Sequence, residues 1–450
     1  MSTEPRSTSG LFEPIVTTDA LLAATGDGAW LQAMLDVEAA LAGAEADAGI
    51  VPPEAAEAIV EACVADRFDP SEIGRAARLG GNPVIPLVQA LREAVGAASG
   101  WVHWGATSQD ILDSAAMLVT KRAFGLIDDD LAGLAHGCAD LAGAHRDTMM
   151  AGRTLLQHAL PITFGLKAAG WLLAVVEVRA RLDAVGGDLA VQLGGAAGTL
   201  ASLGDDGPAI VARLALRLGL GEPLLPWHTN RRRLAEVAAA LGAVSGTSAK
   251  IAMDVALLMQ TEVGEAFEPS GPGRGGSSTL PHKRNPVGAA EVSAAARRAH
   301  ALLPVMFGAM VQEHERGVGG WHAEWPTLTE LLQLAGGAAA RARDTVEGLE
   351  VDTEAMGANL ERTAGRLLAE RVTLTLSPRL GRDRADQVVG AALLATTGSG
   401  RSFEAALLDQ PVVAEILSAA EVKALVDPAG YLGATGTFID RALAAYGGGA

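Results

Sequence analysis

Apolar residues at helical spacing run through most of this chain and leave little room for a sheet. From Ile111 and Leu112 they continue through Ala115, Leu118, Val119, Ala123, Leu126, Ile127, Leu131 and Leu134, and the pattern lasts to about residue 146. Similar patterns run from Pro161 to Gly186 or beyond, over 230–263 and over 287–312. Each is longer than the mean helix of roughly 11 to 12 residues. Strand-like alternation is almost absent. The side chains are 49% hydrophobic but only 4% aromatic, with Ala and Leu dominant. Small residues let helix axes approach closely. The expectation is an all-α fold: a long central helix bundle over 106–355, a helical N-terminal domain over 1–105 and a small helical C-terminal domain over 356–450.

Local signals place the ends of elements. Two helical patterns within 28–66 break at Gly49 and restart at Pro52-Pro53, where a missing N–H costs nothing. The turn Gly80-Gly81-Asn82-Pro83 precedes a helix expected from Pro86. Thr107 with Asp110 has the spacing of a capping box at the head of the long run. Leu193 to Thr199 is a glycine-rich break. Glycine- and proline-punctuated shorter helices follow from about residue 356.

Composition excludes several functions. A net charge of −18 argues against a nucleic-acid partner. No run of 18 or more apolar residues is free of charge, so no membrane span is expected. No targeting segment is visible, and a cytoplasmic protein is expected. Cys63 and Cys138 lie in Ala-rich helical stretches and read as buried thiols of a reducing compartment. There is no HExxH, no CxxC, no Walker A motif and no dinucleotide fingerprint. No metal and no other cofactor are expected.

One segment carries most of the chemistry. Residues 264–286 hold Gly264, Gly271, Gly273, Gly275 and Gly276 with Pro269, Pro272, Pro281 and Pro286, so the stretch cannot be helical throughout. A long irregular segment between two helices is more often functional than not. At its end lie the hydroxyls of Ser277 and Ser278, His282, the Lys283 ammonium and the Asn285 amide. Such a set can hold a carboxylate and move a proton. A serine acts as a base only where N–H donors and a cation stabilise its alkoxide away from water. A mobile glycine-rich loop offers both.

The block Gly276-Ser277-Ser278-Thr279-Leu280-Pro281-His282-Lys283-Arg284-Asn285-Pro286 resembles the GSSxMPxKxNP signature of the fumarase/aspartase superfamily, with Leu280 for the usual Met. Two further segments fit in the expected order. His103-Trp104-Gly105-Ala106-Thr107-Ser108 is similar to the pattern His-x-Gly-x-Thr-Ser. Thr154 to Pro161 is similar to Thr-x-x-x-His-Ala-x-Pro, although other members carry His directly after the Thr, where Leu155 stands here. The resemblance implies a bundle of the fumarase/aspartase type and a homotetramer whose subunits share each active site. Ser277 would transfer the carbon-bound proton, with Lys283 and Asn285 on a substrate carboxylate. It makes His158 the match for the general acid. His103, Thr107, Ser108, Thr154, Gln157 and Ser278 would contact or line the substrate, with Arg153 as an added cation. Thr107 and Ser108 can also simply cap their helix. Asp113 and Ser114 read as first-turn polar residues. Arg274, Arg284 and Arg316 read as solvated surface cations first and as further carboxylate contacts second, while the resemblance implies that the runs 312–316 and Trp321 to Trp325 line or support the site region.

Within the superfamily the chain is most similar to the bacterial 3-carboxy-cis,cis-muconate cycloisomerases. The match rests on Trp101 to Asp110, Pro226-Trp227-His228-Thr229, Phe267 to Ser270, His282 to Ala290, Gln312 to Arg316 and Trp321 to Trp325, and Asp427 to Gly433 fits too. It implies lactonisation of a small tricarboxylate in aromatic catabolism by the β-ketoadipate route. Carboxylate leaving groups have a conjugate acid of pKa near 4, so His158 is needed less as an acid than as a positioning group. The alternative is a C–N lyase of the adenylosuccinate lyase type releasing fumarate. The Arg-Asp-x-Ser element of those enzymes is missing after Trp321.

Overall fold

The computed structural model describes residues 10–448 except Pro272, Ser277, Ser278 and Pro281. Among the described residues the chain is mostly helical, with two short antiparallel strand pairs. Its long helices are Asp27–Asp47, Ser108–Ala144, Phe164–Gly187, Arg232–Leu258, Val287–Gly308 and Gly320–Glu347, the second reaching 37 residues. Contacts group the chain into two compact units: 1–132 with 177–252 and 288–343, and 133–176 with 253–287 and 344–450.

The first unit buries a lattice of small and branched side chains. Leu31, Met34, Leu35, Val37 and Leu41 line one helix; Ile111, Ala115, Met117 and Val119 another; Val237, Leu241 and Val244 a third. The helix Arg232–Leu258 is long and apolar enough to cross a membrane by length and composition, a test that core helices also pass; half of its apolar window is buried. In the second unit the last hundred residues build a separate core on Val372, Leu376, Val388, Phe403, Leu407, Val413 and Val422. Cys63 and Cys138 are free and buried, and burial pushes both thiols up to about 12.

Two element boundaries differ from the sequence reading. Pro161 does not start a helix. Strands β1 (Met149–Thr154) and β2 (Gln157–Thr163) form a hairpin, and the helix begins at Phe164. Pro161 is tolerated because a two-stranded pair has only edge strands, where one missing N–H can face away. Gly152 sits at the bulge between Ala151 and Arg153, and a Cβ there would meet the Leu160 carbonyl at 2.8 Å. A hairpin this short has too few alternating residues to stand out from the helical patterns around it. The helix expected from Pro86 begins at Val84, because the Asn82 side chain accepts from the N–H groups of Val84 and Ile85.

Candidate functional site

In the first unit, the head of the helix Ser108–Ala144 is fixed by one buried carboxylate. Asp110 accepts from the Thr107 N–H at 3.0 Å, half of the expected capping box. It also accepts from the N–H groups of Gly194 and Gly195 at 3.0 and 2.9 Å, and from His228 Nε2 at 2.6 Å. The glycine-rich break is thereby pinned against the helix start. Glycine is required: a Cβ at Gly194 would meet the His228 ring at 2.7 Å. Arg316 completes the turn by donating to Gln109 Oε1 at 3.0 Å and to the Ala196 carbonyl at 3.0 Å.

Asp113 and Ser114 are interior groups, which corrects the reading of them as first-turn polar residues. Asp113 accepts from Arg231, Trp321, Gln109 and Gln192. Arg231 lies between Asp113 and Glu324, with bonds of 2.6–3.0 Å, and all three are at most 3% exposed. Burial opposes the guanidinium charge, but its two carboxylates outweigh that and raise its pKa. Burial pushes the Glu324 carboxyl up, since its one cation is shared with Asp113. No local sequence pattern marks this network, because its members come from four separate stretches.

His103 stands just before that helix with a left-handed backbone (φ 62°), and its Nδ1 lies 2.6 Å from Glu38 Oε1. Burial alone would lower its pKa. The charge and hydrogen bond of Glu38, with Asp110 behind, reverse this and raise it.

In the second unit the hairpin carries four predicted site residues. Arg153 faces His158 across the strands, and Thr154 faces Gln157. Thr154 and Gln157 are exposed and His158 is half-buried. The turn consists of Leu155 and Leu156, at φ 48° and 64° and both exposed. Burial and then Arg153 hold the His158 imidazole below its ordinary pKa, so it is neutral at pH 7. Both terminal nitrogens of Arg153 bond Glu265, at 2.7 and 2.6 Å. Glu265 is wholly buried and also accepts from Asn359 at 2.8 Å. The hairpin is thus clamped to the first residues of the glycine-rich loop.

That loop is exposed over most of its described length and closed at its neck. The Asn285 N–H donates to the Gly275 carbonyl at 2.8 Å, and Gly275 has φ 64°. Arg284 donates to the Glu268 carbonyl at 2.7 Å, pairs with Glu350 at 3.0 Å and covers the Phe267 ring at 4.8 Å. Arg274 pairs with Asp344. Arg274 and Arg284 are exposed, as expected of surface cations, and each also braces the loop through an ion pair, while Arg316 is half-buried. Lys283 is exposed and Asn285 half-buried. Ser277 and Ser278 lie outside the described residues. His103, Thr107 and Ser108 are grouped in one unit, and the hairpin residues with the loop in the other. No group of acidic, His or Cys side chains able to hold a metal occurs among the described residues.

Comparison with known proteins gives this geometry a family. Residues 13–300 match a family model described as lyase, and residues 365–442 match the adenylosuccinate lyase C-terminus. The chain belongs to the fumarase/aspartase superfamily of enzymes. A 3-carboxy-cis,cis-muconate cycloisomerase from Bradyrhizobium diazoefficiens is 47% identical over 97% of this chain and 98% of its own. A nitrosuccinate lyase from Streptomyces davaonensis is 46% identical over 97% and 94%. The crystal structure of the 3-carboxy-cis,cis-muconate lactonizing enzyme of Pseudomonas putida superposes with a TM-score of 0.92 at 44% identity, over 98% of this chain and 99% of that one. The helical fold and the superfamily expected from the signature loop are both borne out.

Proposed function

We propose that this chain is a 3-carboxy-cis,cis-muconate cycloisomerase of aromatic catabolism. The observation that carries the reading is near-full-length similarity at 47% identity to a cycloisomerase, with the three site segments present in order. In this reading one carboxylate of the dienoate adds to a C=C bond and Ser277 delivers a proton to the adjacent carbon. The C–O and C–H bonds form together with loss of one double bond, and the product is a carboxymuconolactone. Lys283 and Asn285 bind the carboxylate next to the carbon that is protonated. The neutral His158 fits a reaction whose reacting carboxylate needs no acid, and acts as a hydrogen-bonding and positioning group. Thr107, Ser108 and the N–H groups at the head of their helix offer a second anion subsite. His103 is its cation. Arg153, engaged by Glu265, contributes by holding the hairpin. Active sites shared among four subunits complete this reading.

A second reading has its own support. The nitrosuccinate lyase is as similar as the cycloisomerases, so elimination from a substituted succinate, releasing fumarate, is the competing reaction. The experiment is direct: follow the diene absorbance of 3-carboxy-cis,cis-muconate with purified enzyme, and in parallel follow fumarate formation from nitrosuccinate and from adenylosuccinate. Loss of the diene band with lactone formation is the expected result. Fumarate formation without lactonisation would move the chain to the C–N lyases. The variant Ser277→Ala should lose about 10²–10⁴-fold in turnover with an unchanged helical spectrum. Full activity in that variant would remove Ser277 from the chemistry.

A further inference from the structure

The dyad of His103 and Glu38 lies 65 residues apart in sequence and was not foreseen from any motif. Glu38 sits on the inner face of the helix Asp27–Asp47 and is 1% exposed, while the His103 side chain is 15% exposed. A carboxylate so deeply buried needs a counter-charge. The only side chain bonded to it among the described residues is His103, at 2.6 Å, and charge-assisted bonds are the short ones. The histidine backbone is held in the left-handed region, which is strained for a non-glycine residue and persists only where surroundings impose it. They do so here. Val102 is buried on one side of it, its carbonyl held by Arg92 at 3.2 Å, and Trp101 packs against Trp104 at 5.1 Å. The second ring nitrogen, Nε2, has no hydrogen-bond partner among the described residues.

We propose that Glu38 is a positioning residue that keeps His103 an imidazolium with Nδ1–H toward Glu38, leaving Nε2–H as a fixed, charged donor for a substrate carboxylate. This rests on the reading of His103 as a substrate ligand. It assigns the two histidines opposite tasks, with His103 charged and His158 neutral. The groups around the ring agree. Glu38 and Asp110 favour the charged form, and Arg92, from the helix Val84–Val95, opposes it more weakly. Glu45, two turns along the helix of Glu38, is held protonated with a pKa of about 9, so it adds no second negative charge at neutral pH. For an acidic chain acting on a polyanion, an imidazolium here adds attraction to that of Lys283.

Two measurements separate this proposal from the reading beneath it. The first is the titration of the His103 ring by NMR in the substrate-free enzyme and in Glu38→Gln, using His103→Gln to assign its signal. The wild-type midpoint should lie above the ordinary histidine value of about 6.5 and fall in Glu38→Gln. A wild-type midpoint at or below that value overturns the proposal without any Glu38 variant needing to fold. So does a midpoint that Glu38→Gln leaves in place. The second is the kinetics of Glu38→Gln. KM should rise about tenfold to a hundredfold at pH 7 with kcat changed much less. The alkaline limb of kcat/KM should move to lower pH, because the cation is lost earlier as pH rises. A fallen midpoint with unchanged KM would show that His103 does not bind substrate, which overturns the role and the ligand assignment together. A merely structural role for Glu38 would leave the pH limb where it was.

Discussion

The buried network of the first unit and the glycine-rich loop of the second are held by opposite means. In the first, polar groups are buried and bonded: Asp110 has four partners, and Arg231 bridges Asp113 and Glu324 at 1% exposure of its side chain. In the second, the glycine-rich loop is exposed, and its braces are ion pairs between half-exposed partners, Arg284 with Glu350 and Arg274 with Asp344. Buried networks fix geometry because each broken member strands another. Exposed pairs are worth little and let a segment move. The two regions therefore differ in rigidity, the buried network being fixed and the loop free to move on its exposed pairs.

The largest test of that contrast is Arg231→Met. The substitution leaves Asp113 and Glu324 facing each other without a cation. Removing one partner of a buried network costs about 3–5 kcal/mol. Urea unfolding followed by circular dichroism should show that loss. A change below about 1 kcal/mol would mean the network is no more rigid than the loop braces, and the comparison would fail.

Glu45 is the exception in the first unit and sharpens the comparison. It is wholly buried, and neither carboxylate oxygen has a hydrogen-bond partner. Burial, then the charge of Glu38, raises its pKa from 4.5 to about 9. The unfolded chain therefore releases this proton near pH 4.5 and the folded chain near pH 9. Between them the folded state holds one more proton, so stability falls as pH rises. At pH 7 the penalty is about 3 kcal/mol, from 1.36 kcal/mol for each pH unit. Glu45→Gln should be more stable than the wild type by that order at pH 7, with the gain vanishing toward pH 4.5. Unfolding curves at both pH values decide it. A gain that does not change with pH would mean that Glu45 is ionised in the fold.

How far these features were legible follows from where their partners lie. The helices were readable because their periodicity is local and long, as in Ile111 to Leu134. The signature loop was readable because its glycines, prolines and polar residues are contiguous. Asp110 was half readable: its bond to Thr107 spans three residues, while its bonds to Gly194, Gly195 and His228 span 84 to 118. The hairpin escaped because Leu155 and Leu156 take left-handed backbones that Asn or Gly would have advertised. Glu324 was legible only as part of Trp321 to Trp325, without its role, and Arg231 and Glu38 were invisible for the same reason as most buried charges. An Arg or Glu in a helical pattern reads as solvated face, and only the fold supplies its partner.

The smallest expected effect belongs to the loop. Arg284 makes three contacts: the Glu268 carbonyl, the Glu350 carboxylate and the face of Phe267. Lysine keeps the charge but lacks the planar fork that serves all three at once. The variant Arg284→Lys should therefore lose less than about 1 kcal/mol of stability, because the ion pair is only half-buried. Its effect should appear in turnover, since the neck formed by Gly275 and Asn285 lies next to Arg284 in the chain, two residues from Lys283 at its far end. A fall in kcat with little change in unfolding midpoint is the expected pattern for a brace on a moving loop. Equal losses in both would place Arg284 with the buried network. The loop would then be as rigidly built as the network of Asp110 and Arg231, and the contrast between the two regions would be lost.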